Sequence, residues 1–377
     1  MSNIYSLPPR GAPGNEPQAG STSFSSVEEI LAELRAGRMV IILDDEDREN
    51  EGDLIMAAEH ATPEAVAFMI RYTSGIICVP MEDERLAQLE LPQMVPNNDE
   101  AYRTAFTVSV DYRHGTSTGV SSSDRAATIQ ALASAGSCAR DFARPGHIFP
   151  LRPRKGGVLV RAGHTEAAVD LCKLAGLKPA GVLCELMNDD GSMSRLAEIE
   201  VFARTHKLKI GTIADLIRHR LRNERSVERV SEQSVQTEFG EFQLYTYEDR
   251  VHNGSHIALA HGQLDGAEPP LVRVHVADTL RDLVGVRGDS HAWTLRAAME
   301  RIAHAGAGVV VILRDQATAA ERAAQGVGGQ VLREYGVGAQ ILKDLGVRRM
   351  RVLSAPKQMH GISAFGLEID GYVGEGQ

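Results

Sequence analysis

Apolar and polar residues follow one another in a pattern that predicts helices and strands in turn over residues 25–222. Apolar residues at i, i+3, i+4 and i+7 after Ser26 predict a helix, and Ser26 with Glu29 forms a capping box at its start. The apolar run 39–43 has the length and β-branched content of a buried strand. Strands that alternate with helices favour an α/β fold with parallel pairing.

The same pattern predicts the remaining elements of this region. Helices are expected from Pro63 to about residue 71, from the stretch 116–125 to about 135, from the loop 161–165 to about 175, over 194–207 and over 213–222. Strands are expected over 76–79, 106–110, 157–160 and 181–185, and from residue 210. Residues 82–103 are expected to be irregular, and Arg144-Pro145-Gly146-His147 is expected to be a turn.

A second domain is expected beyond a polar stretch. Residues 223–237 lack a core-forming pattern, so we place a linker there, between a domain at 25–222 and another at 238–377. The second domain has the pattern of an α/β or α+β fold, with strands expected over 242–247, 257–260, 272–276, 308–313, 349–353 and 366–373, and helices around 295–302 and over 329–345. Residues 1–24 are rich in Gly, Pro, Ser and Asn and are predicted to be a flexible tail.

Composition narrows the class of protein. The chain is 43% hydrophobic and 24% charged, which is typical of a globular protein, and its net charge of −10 argues against a nucleic-acid partner. It contains no run of 18 apolar residues, so no membrane span is expected, and its N-terminus lacks a signal-peptide pattern, which predicts a cytoplasmic protein. The four cysteines form no C-x-x-C pair and are expected to be reduced thiols.

The strongest candidate for chemistry is the stretch 44–53, in which seven of ten residues are acidic and which directly follows a predicted strand. Carboxylates crowded together need a cation or strong donors, and Mg²⁺ prefers oxygen ligands. A solvated acidic surface is the alternative on this run alone. A calcium EF-hand is excluded, because such a loop requires glycine at its sixth position, and the sixth residue counted from Asp45 is Asn50.

Other polar stretches open helices or follow strands. The hydroxyl-rich segment 116–125 suits either a phosphate or plain helix capping, and the loop 161–165 has the small residues and the arginine of a phosphate site. His147 on its own fits a solvated side chain as well as a catalyst. Glu185 ends a predicted strand, so several polar groups are expected to meet at one edge of the sheet.

Six separated stretches together resemble the 3,4-dihydroxy-2-butanone 4-phosphate synthases. They are LDDEDRENEGD at 43–53, SGIIC at 74–78, TGVS at 118–121, RPGHIFPL at 144–151, RAGHTE at 161–166 and GVLCEL at 181–186. The resemblance implies a three-layer α/β domain with a mixed sheet. It also implies a lyase of riboflavin biosynthesis, which converts D-ribulose 5-phosphate to L-3,4-dihydroxy-2-butanone 4-phosphate and formate. Mg²⁺ or Mn²⁺, with two ions per site, and a homodimer with active sites near its interface are implied as well.

The resemblance also implies roles for residues that match its motifs. Glu49 and His164 are expected to bind the metal, and His147 and Glu185 to act as acid–base groups. The substrate is expected to meet the following residues: Arg48, Glu49, Asp53, Cys78, Thr118, Asp124, Arg161, Ala162, Gly163, His164, Thr165 and Glu185.

Residues 238–374 resemble GTP cyclohydrolase II more weakly, through segments such as Ser255–Leu259 and Tyr335–Leu342. That enzyme holds zinc through three cysteines, whereas this chain has no cysteine after Cys184, and Arg314–Thr318 replace its expected Gln-Glu-Gly-Arg-Gly motif. We therefore expect an inactive second domain without zinc. The alternatives are a bifunctional enzyme, in which His275, Asp278, Asp289 and His291 bind a metal differently, and a non-catalytic metabolite sensor.

Overall fold

The computed structural model describes residues 24–46, 48–251, 254–266, 268–278, 282–286, 293–314, 327–355 and 362–374. They form two compact units, and each is built on a seven-stranded sheet. The chain passes from the first unit to the second between Leu216 and Ile217, and Val327 and Gly328 are grouped with the first unit. The predicted N-terminal tail lies outside the described residues except for Phe24. None of the described helices combines the length and the apolar character needed to cross a bilayer.

The first unit contains seven strands and seven α-helices among its described residues. The strands are β1 Val40–Leu43, β2 Gly52–Ala57, β3 Cys78–Pro80, β4 Val110–Tyr112, β5 Phe142–Leu151, β6 Gly181–Glu185 and β7 Ile210–Thr212. The helices are α1 Val27–Arg35, α2 Pro63–Tyr72, α3 Asp83–Gln88, α4 Ser122–Ala133, α5 His164–Leu174, α6 Leu196–His206 and α7 Ile213–Asn223, the last of which crosses the division between the units.

The sheet of the first unit is mixed, with strand order β4-β5-β3-β6-β2-β1-β7. Only the β1–β7 and β3–β5 pairs of this sheet are parallel, so the mixed sheet implied by the resemblance is confirmed. The parallel pairing predicted from the alternation of strands and helices holds for these two pairs alone. Strand β2, which the sequence analysis did not predict, explains the antiparallel pairing at the centre of the sheet. It follows β1 directly as an antiparallel hairpin, without a crossover helix.

Helices cover both faces of this sheet, which gives three layers. One hydrophobic core joins side chains of the sheet to α2, α4 and α6. Helix α5 packs against β2, β3 and β6 and against α1, and neither α1 nor α5 contributes to that core. Strands β1 and β2 are therefore buried along their whole length.

Four local predictions in this unit were wrong. The strand expected over 106–110 overlaps β4 at Val110 alone, and residues 106 and 107 form only isolated bridges. Residues 144–147 lie within β5 and form no turn: Val110 pairs with Ile148 but Asp111 pairs with Ala143, so the Pro-Gly segment between them bulges out of a continuing strand. Residues 157–159 form a 3₁₀ helix in place of a strand, since Gly156 and Gly157 both have positive φ. The expected irregular stretch 82–103 contains helix α3.

The second unit contains strands β8 Val227–Thr237, β9 Gly240–Asp249, β10 Gly254–His261, β11 Leu271–Val276, β12 Gly308–Leu313, β13 Arg349–Leu353 and β14 Glu368–Val373, with helices α8 Leu295–Ala305 and α9 Val327–Asp344. Its strand order is β14-β13-β11-β12-β10-β9-β8. Most of the expected linker is thus strand β8. Because β8 is an edge strand with few buried residues, its sequence carries little hydrophobic signal.

Two hydrophobic cores lie on the second sheet. One includes Tyr247 and residues of α9 such as Ile341 and Leu342. The other includes Phe242, residues of α8 and Trp293, whose indole N–H donates a hydrogen bond to the Val373 carbonyl over 2.8 Å. Helices α8 and α9 therefore pack this sheet through separate cores.

Candidate active site

The acidic loop between β1 and β2 is folded around Asp44. Its carboxylate accepts hydrogen bonds from the backbone N–H groups of Glu49 (3.1 Å) and Glu51 (2.8 Å) and from Nη1 of Arg48 (2.8 Å), and its side chain is fully buried. The loop is therefore an ordered turn around one carboxylate, and the expectation of a merely solvated acidic surface does not describe it. Asp47 lies outside the described residues.

Glu49 and His164 meet although they are far apart in the sequence. His164 Nδ1 lies 3.7 Å from Glu49 Oε2, and with Asp44 these side chains offer three possible ligand atoms that all lie within 4.8 Å of one another. His164 Nε2 lies 3.1 Å from the Ile42 carbonyl oxygen. Because a carbonyl only accepts, Nε2 carries the hydrogen, and Nδ1 is left to face the carboxylates.

Asp53 completes this cluster from strand β2. Its Oδ1 lies 3.7 Å from His164 Nδ1 and is buried without a hydrogen-bond partner among the described residues. Burial, opposed by His164 and reinforced by the charges of Glu185 and Glu49, raises the pKa of Asp53 to about 8. A buried carboxylate oxygen whose cationic neighbour, His164, lies beyond hydrogen-bond distance is the kind of group that a metal ion stabilises.

The pKa values of the other two groups reflect the same crowding. Burial works against a charged imidazole, but the carboxylates of Asp53, Glu49 and Asp44 raise the pKa of His164 to about 9. Burial also works against the Glu49 carboxylate, yet His164 and Arg48 lower the pKa of Glu49 to about 2. The cluster thus holds three carboxyl groups, those of Asp44, Glu49 and Asp53, against two cationic side chains, and Asp53 is the one whose pKa is raised, by burial and by its acidic neighbours.

Glu185 lies beside this cluster at the end of β6, where it pairs with Asp53 across the sheet. Ser74 donates a hydrogen bond to Glu185 Oε2 over 2.6 Å, and the Ser74 backbone N–H donates to the Glu185 carbonyl. Cys78 is buried on the neighbouring strand β3, and burial followed by the charge of Glu185 raises the pKa of its thiol. An inert thiol is therefore expected at this position.

The two arginines of the predicted site share a neighbour. Arg48 stacks on the ring of Tyr102, with its guanidinium carbon 5.0 Å from the ring centroid, and Tyr102 donates a hydrogen bond to the Arg48 carbonyl. Arg161 donates from Nε to the Tyr102 carbonyl (3.3 Å) and from Nη2 to Thr104 Oγ1 (3.1 Å). The segment that contains Tyr102 thus contacts both cations.

The loop before α5 is held by an ion pair. Arg161 Nη1 donates to Glu166 Oε2 over 2.7 Å, and both side chains are almost fully buried. A Cβ at Gly163 would come 2.3 Å from Arg161 Nη1, so a side chain at this position would displace the guanidinium from its ion pair. Ala162, Gly163 and Thr165 are all buried at the start of the helix, where backbone N–H groups can meet an anion.

His147 occupies a different part of the sheet, in the bulge of β5. Its Nδ1 lies 2.7 Å from Asp111 Oδ2 and its side chain is 44% exposed. Thr118 is also exposed, whereas Asp124 is buried. Asp124 Oδ2 accepts from the N–H and hydroxyl of Ser117 and from the Gly119 N–H, and these bonds lower the pKa of Asp124.

The structure therefore brings Glu49, Asp53, His164 and Glu185 together and leaves His147 and Thr118 at an exposed surface of the same unit. Sequence reasoning missed Asp44, Ser74 and Asp111 as individual site residues. Asp44 had a signal, because it is the first residue after a buried strand. Ser74 had a signal as the first residue of the SGIIC motif. Asp111 had none, because a hydrogen bond between distant segments of the chain does not affect the periodicity of the sequence.

Histidines of the second unit sit in separate pairs. His275 Nε2 lies 2.8 Å from Asp282 Oδ2, and His256 Nε2 lies 3.3 Å from Asp249 Oδ2. Asp289 and His291 lie outside the described residues. In the part of the chain that the structure describes, the Asp44–Glu49–His164 group is the one cluster of three possible metal ligands.

Two stretches of the chain match known families. Residues 28–219 match the family described as 3,4-dihydroxy-2-butanone 4-phosphate synthase, and residues 228–374 match the family described as GTP cyclohydrolase II. The two matched stretches contain the first and the second sheet, respectively.

Similar proteins are described as 3,4-dihydroxy-2-butanone 4-phosphate synthases. A 3,4-dihydroxy-2-butanone 4-phosphate synthase of Pseudomonas aeruginosa is 49% identical over 372 residues, which cover 93% of this chain and 99% of that one. The crystal structure of a two-domain 3,4-dihydroxy-2-butanone 4-phosphate synthase from A. baumannii is 43% identical, with a TM-score of 0.82, and covers 93% of this chain and 100% of its own. A synthase crystal structure in complex with two magnesium ions is 44% identical, with a TM-score of 0.52, and covers 53% of this chain and 99% of its own.

Proposed function

The chain belongs to the 3,4-dihydroxy-2-butanone 4-phosphate synthase family of riboflavin biosynthesis, and on this premise we propose how its residues divide the work. Residues 25–222 carry the lyase reaction, in which D-ribulose 5-phosphate gives L-3,4-dihydroxy-2-butanone 4-phosphate and formate. The observation that carries the proposal is the approach of Glu49 and Asp53 to the same nitrogen of His164, each at 3.7 Å.

Glu49 and His164 hold the divalent metal in this proposal. Carboxylate oxygens with one imidazole nitrogen suit Mg²⁺ or Mn²⁺, and Nδ1 of His164 is already directed at Glu49 by the hydrogen bond from Nε2 to Ile42. When bound, the cation supplies Lewis-acid stabilisation of negative charge on substrate oxygens. Two ions per site are proposed, since a homologous synthase is described in complex with two magnesium ions.

Glu185 and His147 are the proposed acid–base groups. Glu185 lies next to Asp53 and keeps one carboxylate oxygen bonded to Ser74, so its other oxygen is available to move a proton. The His147 side chain is 44% exposed, so part of its ring is accessible to a substrate. Asp53 and Arg48 flank the metal ligands and would meet the substrate hydroxyl groups.

The substrate phosphate is proposed to bind at the start of α5. The backbone N–H groups of Ala162, His164 and Thr165 and the Thr165 hydroxyl can donate to phosphate oxygens, and Arg161 supplies charge. The Gly163 N–H already donates to the Arg161 carbonyl over 2.9 Å. Cys78, Thr118 and Asp124 complete the proposed substrate-binding set. Asp124 would act through the loop that it organises, because its Oδ2 already accepts three hydrogen bonds.

The second domain is proposed to be inactive on GTP. The chain has no cysteine after Cys184, so the three thiolates that hold zinc in GTP cyclohydrolase II have no counterpart. Incubation with GTP, with and without added zinc, is expected to release neither formate nor pyrophosphate. Release of both would establish the bifunctional alternative.

A homodimer in the cytoplasm remains a prediction. The exposed position of His147 supports assembly, because a second subunit could complete the surroundings of this residue. Analytical ultracentrifugation of the full chain is expected to give the mass of two 40.8 kDa chains. A monomer that turns over substrate would contradict this part of the proposal.

The synthase proposal is tested by mixing the purified chain with Mg²⁺ and ribulose 5-phosphate and measuring formate. We expect formate release that chelation of the metal abolishes and that fresh Mg²⁺ restores. Folded, metal-loaded protein that binds ribulose 5-phosphate without turnover would favour the metabolite-sensor alternative.

A further inference from the structure

We propose that Asp111 is the positioning residue of His147: it fixes the direction of the imidazole and the nitrogen that carries its hydrogen. The proposal rests on the assignment of His147 as an acid–base group in the proposed function. Asp111 itself lies outside the six motifs on which the resemblance was based.

Two hydrogen bonds tie His147 to this one carboxylate. The His147 backbone N–H donates to Asp111 Oδ1 over 2.8 Å, and His147 Nδ1 lies 2.7 Å from Asp111 Oδ2. Each oxygen therefore meets a different part of the same residue. This double contact fixes both the backbone position and the ring orientation of His147, which a single hydrogen bond would not do.

The surrounding backbone is shaped to allow this contact. Residues 144–147 bulge from β5 around Asp111, and a Cβ at Gly146 would come 2.0 Å from the Val110 carbonyl carbon. On the other side, a Cβ at Gly119 would come 2.1 Å from Asp111 Oδ2. The glycines of the RPGH and TGVS motifs therefore both make room for Asp111, which lies where the two motifs meet.

The contact has a chemical consequence. An ionised carboxylate only accepts hydrogen bonds, so Nδ1 of His147 must carry the hydrogen. The neutral ring then presents its lone pair on Nε2, at the outer edge of a side chain that is 44% exposed. Asp111 thereby prepares Nε2 to take a proton from a substrate, by the same logic that applies wherever a carboxylate orients a catalytic histidine.

Asp111→Asn tests this role with almost no change in shape. The amide offers one acceptor to two donors, so either the backbone N–H or the imidazole loses its partner, and the ring is free to adopt the other tautomer. We expect kcat for formate release to fall by about 10- to 100-fold while KM changes by less than about threefold. In a His147→Gln background the same change is expected to have no further effect, since the pair acts as a unit.

Asp141→Asn is the matched control. Asp141 Oδ1 lies 3.1 Å from His114 Nε2 in the same unit, and that histidine has no role in the proposed site. The same chemical change at this second histidine–aspartate contact is expected to leave kcat within about twofold. If Asp111→Asn also leaves kcat within twofold, or lowers it equally in the His147→Gln background, the positioning role is wrong.

A second measurement is independent of activity and does not use the Asp111→Asn variant. In the ¹⁵N spectrum of histidine-labelled wild-type protein, the resonances lost in His147→Gln identify this ring. We expect its neutral form to carry the hydrogen on Nδ1; hydrogen on Nε2 would overturn the proposal. A wild-type chain that shows the Nδ1–H form but no turnover would reject the synthase function and leave the structural pairing intact.

Discussion

In the first unit three carboxylates crowd around one imidazole and one guanidinium, whereas in the second unit each described imidazole–carboxylate contact is one to one. Asp44, Glu49 and Asp53 share His164 and Arg48, and Asp53 Oδ1 has no hydrogen-bond partner in the described chain. In the second unit His275 faces Asp282 and His256 faces Asp249. The two units thus hold similar groups in different ratios.

The ratio matters because like charges held together destabilise a fold unless something else neutralises them. An excess of buried carboxylates over cationic side chains favours the binding of a cation, and such an excess is typical of a functional site. A one-to-one pair makes no such demand and can be purely structural. The charge distribution of the first unit therefore favours the binding of a metal cation, in keeping with its proposed role.

The largest expected effect comes from removing one charge of the excess. Glu49→Gln keeps the shape of the side chain but takes away a proposed metal ligand, so kcat/KM for ribulose 5-phosphate should fall by about 10³-fold or more. Mg²⁺ affinity, measured by calorimetry, should fall in parallel.

His275→Gln is the counterpart in the second unit. It breaks a one-to-one pair, and kcat/KM is expected to stay within about twofold of the unchanged chain. If Glu49→Gln and His275→Gln lowered kcat/KM equally, the difference in charge ratio between the two units would be unrelated to function.

A substitution at Asp344 is expected to lower the stability of the second unit. Asp344 accepts hydrogen bonds from the buried Tyr247 hydroxyl (2.9 Å) and from Arg229 Nε (2.8 Å). Asp344→Ala leaves both donors unpaired and should destabilise this unit by about 2–3 kcal/mol, measured by native-state hydrogen exchange of β8 and β9. Asp370→Ala removes an ion pair with the exposed Arg349, which solvent screens, and should destabilise this unit much less than Asp344→Ala.

Metal binding in the first unit should depend on pH. The neighbouring carboxylates raise the pKa of His164 to about 9 against the effect of burial, so near neutral pH the cation must displace a proton. Because the pKa is raised, Mg²⁺ affinity should increase with pH, by up to about tenfold per unit, and level off above pH 9. Calorimetry in buffers of different ionisation enthalpy should count the released proton, and a pH-independent affinity would contradict this.

The smallest expected effect concerns a helix that carries no site residue. Ser26 accepts from the Glu29 backbone N–H, and Glu29 accepts from that of Ser26, so α1 starts with a complete capping box. Ser26→Ala should destabilise the first unit by about 1 kcal/mol and Ser26→Gly by only a few tenths, as measured by hydrogen exchange of α1. Both variants should keep the unchanged kcat, which separates the scaffold from the charge cluster.

The sequence predicted those helices and strands whose buried residues recur at the period of a helix or form a continuous apolar run. Helix α1 with its capping box and strand β6 appear within a residue of their expected bounds. Strand β2 was missed because the acidic run hides its beginning, although its six residues are all buried. Strand β8 was missed for the opposite reason, because an edge strand that is mostly exposed resembles a polar linker.

The site shows a similar division. Family resemblance selected Glu49 and His164, and the structure places them 3.7 Å apart. Periodicity could not have joined them, because α5 brings His164 to the edge of β1 from more than a hundred residues away. Ser74 belongs to the SGIIC motif, but its contact with Glu185 is seen only in the structure. Asp111 lies in no motif, and its role follows only from its contact with His147.

Trp293 gives the molecule a built-in optical label. It is the single tryptophan of the chain, it is 6% exposed, and its indole lies in a core of the second unit. Fluorescence excited at the tryptophan band therefore follows the second unit, whereas circular dichroism follows both. Comparing the two signals during denaturation would separate the melting of the two units without any engineered dye.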